Sequence, residues 1–168
     1  VWKYSYEAKL DPKYYEGGTS ATPTVDGDRV YSLSKAGMLH CLEVAKGTVI
    51  WSKNLMEELK AKMPTWGFAS SVLIEGDLAI VNVGAAGAAL DKTTGKVVWS
   101  SGEEEAGYTT SVPFDAAGQR AVALAGDAHR RGDDGRLRRR RRARARGAAR
   151  GGAARTAGAR KSGAAGGG

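Results

Sequence analysis

The strongest constraint in this sequence is a tryptophan that returns at a nearly fixed interval. Trp2, Trp51 and Trp99 are separated by 49 and 48 positions. Gly27 and Gly76 keep the same phase, 49 positions apart. A third marker is a glycine four residues before a hydroxyl side chain, as in Gly18 and Thr22, Gly67 and Ser71, and Gly107 and Ser111. A period of about 40–50 residues with four short strands each is the signature of propeller blades. One blade cannot cover both its faces, so it buries them against its neighbours and leaves few open edges. A plain β-sandwich also has many short strands, but it does not predict tryptophans and loops in phase. The expected fold class is therefore all-β: a partial β-propeller of four-stranded antiparallel blades, about two full blades plus flanking parts, followed by a disordered C-terminal tail.

The strands follow from alternation and turn chemistry. Residues 1–6 read as a closing strand. The first full cycle is expected at 21–25, 29–34, 38–43 and 48–52, with Asp26-Gly27 and Ala36-Gly37 as hairpin signals. Residues 55–63 break the pattern: Leu55, Leu59 and Met63 fall at helical spacing and Pro64 follows, which predicts a short connecting helix. The cycle restarts at 70–74, 78–83, 86–91 and 96–100, and a third time at 111–114 and 120–125.

Charge divides the chain. The formal net charge is +8, yet residues 127–168 hold thirteen Arg, one Lys and three Asp, leaving the first 126 residues mildly acidic. We expect residues 1–125 to be the propeller fragment. Residues 126–168, rich in Arg, Ala and Gly, lack the apolar groups needed to offset the entropy of ordering. Nucleic-acid binding by phosphate neutralisation is one reading of this tail. The favoured one is a frameshift, because Arg, Ala and Gly all have GC-rich codons and the third cycle stops in mid-blade at Ala125. The single cysteine, Cys41, excludes an internal disulfide. No apolar run approaches the ~18 residues of a membrane span, and no signal peptide is visible.

The hairpin from Ala88 to Ser100 carries the most specific pattern. Ala89, Asp91, Thr94, Gly95 and Trp99 match A-x-D-x-x-T-G-x-x-x-W. This resembles the tryptophan-docking motif of the PQQ-like (quinoprotein alcohol dehydrogenase-like) β-propellers, which include BamB-like outer-membrane assembly proteins. The resemblance implies that the Trp of one blade packs on the glycine turn of the next, a role that would fall to Trp2, Trp51 and Trp99 as tryptophans and to Gly47 and Gly95 as turns. The first copy departs from the motif, with Cys41, Glu43 and Lys46 in place of Ala, Asp and Thr. Glu and Lys cannot reproduce the short Asp–Thr turn contacts, so a looser turn is expected there.

For function, the resemblance implies a non-catalytic propeller that binds protein or polymer partners in a periplasmic or otherwise extracytoplasmic compartment. The remaining blades are expected outside this chain. The alternative is a fragment of a quinoprotein alcohol dehydrogenase, with PQQ and calcium bound in the full-length protein. The motif itself requires neither, and the adjacent Cys pair of many such enzymes is absent. No catalytic residue is assigned.

A ligand or peptide is expected at one mouth of the axial channel, where loops lead into each innermost strand. Trp66, Gly67, Phe68, Ser71, Tyr108, Ser111 and Thr22, with Tyr15, are the candidates. The competing reading has them pack the seams between blades. Asp26, Asp28, Glu75 and Asp77 read as turn residues rather than calcium ligands. His40 and Cys41, being adjacent in a strand, point to opposite faces and read as structural.

Overall fold

The computed structural model describes residues 1–9 and 19–125. The first sheet is built from β1 (Thr24–Asp26), β2 (Arg29–Leu33), β3 (Met38–Glu43) and β4 (Val49–Asn54). A single helical turn and a half, α1 (Leu55–Leu59), leads to the second sheet of β5 (Leu73–Glu75), β6 (Leu78–Val81), β7 (Ala88–Asp91) and β8 (Val97–Ser100). A third sheet begins with β9 (Val112–Ala116) and β10 (Gln119–Ala123). Within each sheet every strand pairs antiparallel with its sequence neighbour, in the order β1-β2-β3-β4, β5-β6-β7-β8 and β10-β9. These are the blades of a partial β-propeller.

The inner strands are shorter than alternation alone suggests, and they start later. β1 begins at Thr24 and β5 at Leu73. The residues before them bond between blades instead of along a ladder. The helix is shorter too. Asn54 caps its start by accepting from the Met56 amide at 3.2 Å, and Lys60 ends it in the left-handed region at φ 52°. That conformation stops the helix four residues before Pro64 could act. Residues 1–6, expected as a strand, carry none, because they contact the first sheet through side chains and not through a ladder.

Register fixes what each face presents. Tyr31, Cys41 and Trp51 form one cross-strand row, and Ser32, His40 and Ser52 form the row on the opposite face. The second sheet repeats this as Ile80, Ala89 and Trp99 on one face and Val81, Ala88 and Ser100 on the other. The core lies between these two sheets, where Tyr31, Leu33, Leu39 and Cys41 cluster with Ala79, Val81, Ala88 and Leu90. Leu55 and Leu59 of α1 are buried in the same cluster.

Each four-stranded sheet also carries one irregularity at the same place. The register shifts between Cys41 and Leu42 and again between Ala89 and Leu90. The extra residue is Ile50 in β4 and Val98 in β8, one position before the tryptophan. A bulge of this kind kinks a strand and re-aims the next side chain. The bulged residues face solvent, with Ile50 43% and Val98 55% exposed.

Candidate functional site

The innermost strands are tied together by a repeated hydroxyl link. The Thr22 amide donates to Ser71 Oγ at 3.1 Å, and the Ser71 amide donates to Thr110 Oγ1 at 3.0 Å. Thr24 Oγ1 adds a bond to the Val72 carbonyl at 2.6 Å. The second amide-to-hydroxyl link therefore uses Thr110, one residue before the expected Ser111. Ser111 is buried and its hydroxyl has no partner among the described residues. The glycine spacing pointed to Ser111, whereas the adjacent Thr110 carried an equally good hydroxyl.

The loop before β5 divides the remaining candidates. Gly67 holds φ 79°, and a Cβ there would lie 2.8 Å from the Lys35 carbonyl oxygen. Phe68 is fully buried and lies beneath Gly37, so it packs the blade rather than lining an opening. Trp66 remains 41% exposed, and its amide donates to the Tyr108 hydroxyl oxygen at 3.3 Å. Trp66 and Tyr108 are thus brought together. Tyr15 lies outside the described residues. Beside them Asn82 Nδ2 donates to the carbonyls of Thr109 at 3.0 Å and Ala125 at 2.9 Å, joining the second and third sheets.

The tryptophans reach the neighbouring turns. The Trp51 indole covers Gly95, and Trp51 Nε1 donates to the Lys92 carbonyl at 3.1 Å. Tyr31 Oη donates to the same oxygen at 3.1 Å, and Arg29 Nη1 reaches it at 3.3 Å and the Thr93 carbonyl at 3.2 Å. Lys92 Nζ meets Asp26 Oδ2 at 2.8 Å. One face of the first blade, through residues of β1, β2 and β4, thus grips the β7–β8 turn, chiefly by its main-chain carbonyls. Burial pushes the Tyr31 phenol up to about 12, and burial likewise raises the Cys41 thiol. Trp2 repeats the arrangement, covering Gly47 and donating from Nε1 to the Val44 carbonyl at 2.6 Å. Trp99 is half-buried, and no described glycine turn lies under it.

The turn of the second blade is self-bonded. Asp91 Oδ1 accepts from the Thr93 amide at 3.0 Å, the Thr94 amide at 2.8 Å and Thr94 Oγ1 at 2.8 Å. The Thr94 hydroxyl, foremost among these donors, holds the Asp91 carboxyl below its ordinary range. In the first blade Glu43 forms only a 3.8 Å pair with Lys46. Both turns nevertheless close in the same way, with Gly47 and Gly95 amides donating to the Glu43 and Asp91 carbonyls at 2.8 Å.

Asp26 is paired with Lys92, and Glu75 takes a two-point contact from Arg120 at 2.9 and 3.1 Å. No three His, Cys, Asp or Glu side chains of the described residues converge to hold a metal ion. His40 and Cys41 lie on opposite faces, as their register requires.

The repeated sheets, their tryptophan contacts and the linked inner strands define a β-propeller repeat chain. The family model described as outer membrane protein assembly factor BamB matches residues 1–161, and the chain belongs to that family. The match continues past Ala125 into the Arg-rich segment. No curated protein matches the chain. Similar solved structures include a quinohemoprotein alcohol dehydrogenase from Pseudomonas putida, 21% identical over 74% of this chain and 18% of that one, with a TM-score of 0.47. BamB from Moraxella catarrhalis is 16% identical over 63% of this chain and 30% of that one, with a TM-score of 0.43. A quinohemoprotein alcohol dehydrogenase from Comamonas testosteroni is 23% identical over 48% of this chain and 13% of that one, with a TM-score of 0.41. The chain therefore spans less than a third of the length of each. No helix among the described residues is long and apolar enough to cross a membrane.

Proposed function

We propose that this chain is part of a non-catalytic propeller that binds a protein or polymer partner in an extracytoplasmic compartment, with Trp66 and Tyr108 at the contact. The family match to an outer membrane protein assembly factor carries this reading. The geometry is compatible with it in one respect. The inner-strand hydroxyls of Ser71 and Thr110 are spent on main-chain links, while Trp66 keeps a large apolar surface in solvent. Exposed aromatics of this kind are frequent anchors at interfaces.

A photo-crosslinking residue at position 66, in the cells that make the protein, tests the reading. Adducts with an envelope protein or polymer are expected, and Trp66→Ala should remove binding of that same partner without lowering the unfolding temperature. Binding unaffected by Trp66→Ala sinks the assignment to this contact. A full-length protein that takes up PQQ and calcium and oxidises alcohols in a dye-linked assay would instead make it a quinoprotein dehydrogenase.

A further inference from the structure

We propose that the seam between the second and third sheets binds a water molecule, held by Asn82 Oδ1 on one side and Ser111 Oγ on the other. Both side chains are turned into this seam. Asn82 Nδ2 reaches the carbonyls of Thr109 and Ala125, on the two segments that enter and leave the β9–β10 hairpin. Within that hairpin Val112 pairs with Ala123, so the next pair along the ladder, Ser111 and Leu124, shares one face. That face is turned to the second sheet, since the Leu124 methyl groups lie 2.8 and 3.0 Å from where a Cβ of Gly87 would stand.

The seam between the first and second sheets shows what is unusual. Tyr31 and Ile80 hold the same place in the two tryptophan rows, which makes Leu33 the counterpart of Asn82, two residues on. Thr22 bonds to Ser71 as Ser71 bonds to Thr110, which makes Val72 the counterpart of Ser111. Leu33 and Val72 lie in one buried apolar cluster. The following seam replaces this leucine and valine by an asparagine and a serine that are 1% and 3% exposed.

Polar groups at this depth need partners. Asn82 Oδ1 and Ser111 Oγ have none among the described residues. Turning the asparagine over does not relieve this, because its oxygen would then face two carbonyl oxygens. Its main chain is fixed as well, with the Asn82 amide donating to Ser70 Oγ at 3.3 Å. Oδ1 is therefore an acceptor in need of a donor, while the serine hydroxyl can donate or accept. Water satisfies both, and buried waters sit on otherwise unpaired groups of this kind. Serine is also smaller than valine, which leaves room on that side of the seam. Neither group is charged, which favours water over an ion. The bridge gives this seam a requirement that the apolar one lacks: a blade without the Ser111 hydroxyl would strand the Asn82 oxygen.

A high-resolution crystal structure of the full-length protein tests this. An ordered water within about 2.7–3.2 Å of both Asn82 Oδ1 and Ser111 Oγ is expected. A direct hydrogen bond between the two side chains, a protein donor in the water's place or an empty gap overturns the proposal. Ser111→Val, which copies Val72, should lose this water while Asn82 keeps its bonds to the Thr109 and Ala125 carbonyls, and a water that stays refutes the role of Ser111. If that variant misfolds, water–protein NOEs of the unmodified protein decide in solution. The Asn82 side-chain amide protons should then show a long-lived water beside them, and no such signal refutes the site.

Discussion

Adding one methyl group at Gly95 should weaken the fold far more than the same change at Gly76. Both glycines have positive φ, 71° and 58°. An alanine there costs about 1–2 kcal/mol in either case, less the ~0.4–1 kcal/mol from a stiffer unfolded chain. The surroundings differ. Nothing lies within 4 Å of a Cβ at Gly76, whereas a Cβ at Gly95 would sit 2.8 Å from two atoms of the Trp51 indole. The indole has little room to retreat, because its Nε1 is bonded to the Lys92 carbonyl and Tyr31 packs beside it at a centroid distance of 6.0 Å. Overpacking of this kind costs about 1–3 kcal/mol. Complete ejection of the ring would cost about 4–6 kcal/mol, from 150–250 Å² at about 25 cal/mol/Å². Gly95→Ala should therefore be less stable than Gly76→Ala by about 1–3 kcal/mol. Urea unfolding followed by far-ultraviolet circular dichroism measures the difference without relying on the perturbed tryptophan. Adding Trp51→Phe should recover part of the loss, as a double-mutant coupling between touching residues. If the two alanine variants agree within ~0.5 kcal/mol, the β7–β8 turn is not the platform of the indole.

Asp91→Ala removes the acceptor of three turn bonds and should cost about 0.5–2 kcal/mol, by analogy with the loss of a helix cap. Because the Asp91 carboxyl is held below its ordinary value of 3.8, its contribution is complete above that pH and is lost as the pH falls through the lower folded value; the variant should show a flatter acid limb in unfolding-temperature measurements below pH 4. Ala117 occupies φ 50° in the β9–β10 turn beside Gly118 at φ 69°. Asparagine favours that conformation, so Ala117→Asn should stabilise the hairpin by up to ~1 kcal/mol, and a lower denaturation midpoint would refute the turn assignment. Arg120→Ala should return the Glu75 carboxyl upward toward its ordinary value in an NMR titration, since the Arg120 hydrogen bond is the main cause of its depression.

The period was legible because burial demands it. A tryptophan every 48 or 49 residues, with glycine turns in phase, leaves few architectures open. Strand pairing followed from the turn residues. The segment at 1–6 was misread because alternation reports which side chains can be buried, not whether a ladder partner is present. The helix was overextended because hydrophobic spacing does not reveal that Lys60 turns left-handed. The bulges at Ile50 and Val98 left no mark in the pattern, since both are ordinary β-branched residues. Trp66 and Tyr108 were identifiable as aromatic loop residues. Phe68 looked the same in sequence, and only its position beneath Gly37 separates it from them. His40 read as one half of an inert pair with Cys41. Its contact with Tyr4 and Tyr6 depends on a fold-back across more than thirty residues that no local pattern encodes.

The grip of one blade on the next is aimed at carbonyl oxygens, those of Val44 and Lys92. Every amino acid supplies that oxygen, so the side chains at the two positions are free to be as different as valine and lysine. Recognition of this sort behaves like a standard coupling between interchangeable parts. A copied or transplanted repeat needs only a glycine at the bend and an indole at its own end to join either neighbour. The price of that interchangeability is weak discrimination. The joint alone does not say which blade comes next, and order along the ring must be enforced by chain connectivity and by pairs particular to one seam, such as Arg120 with Glu75.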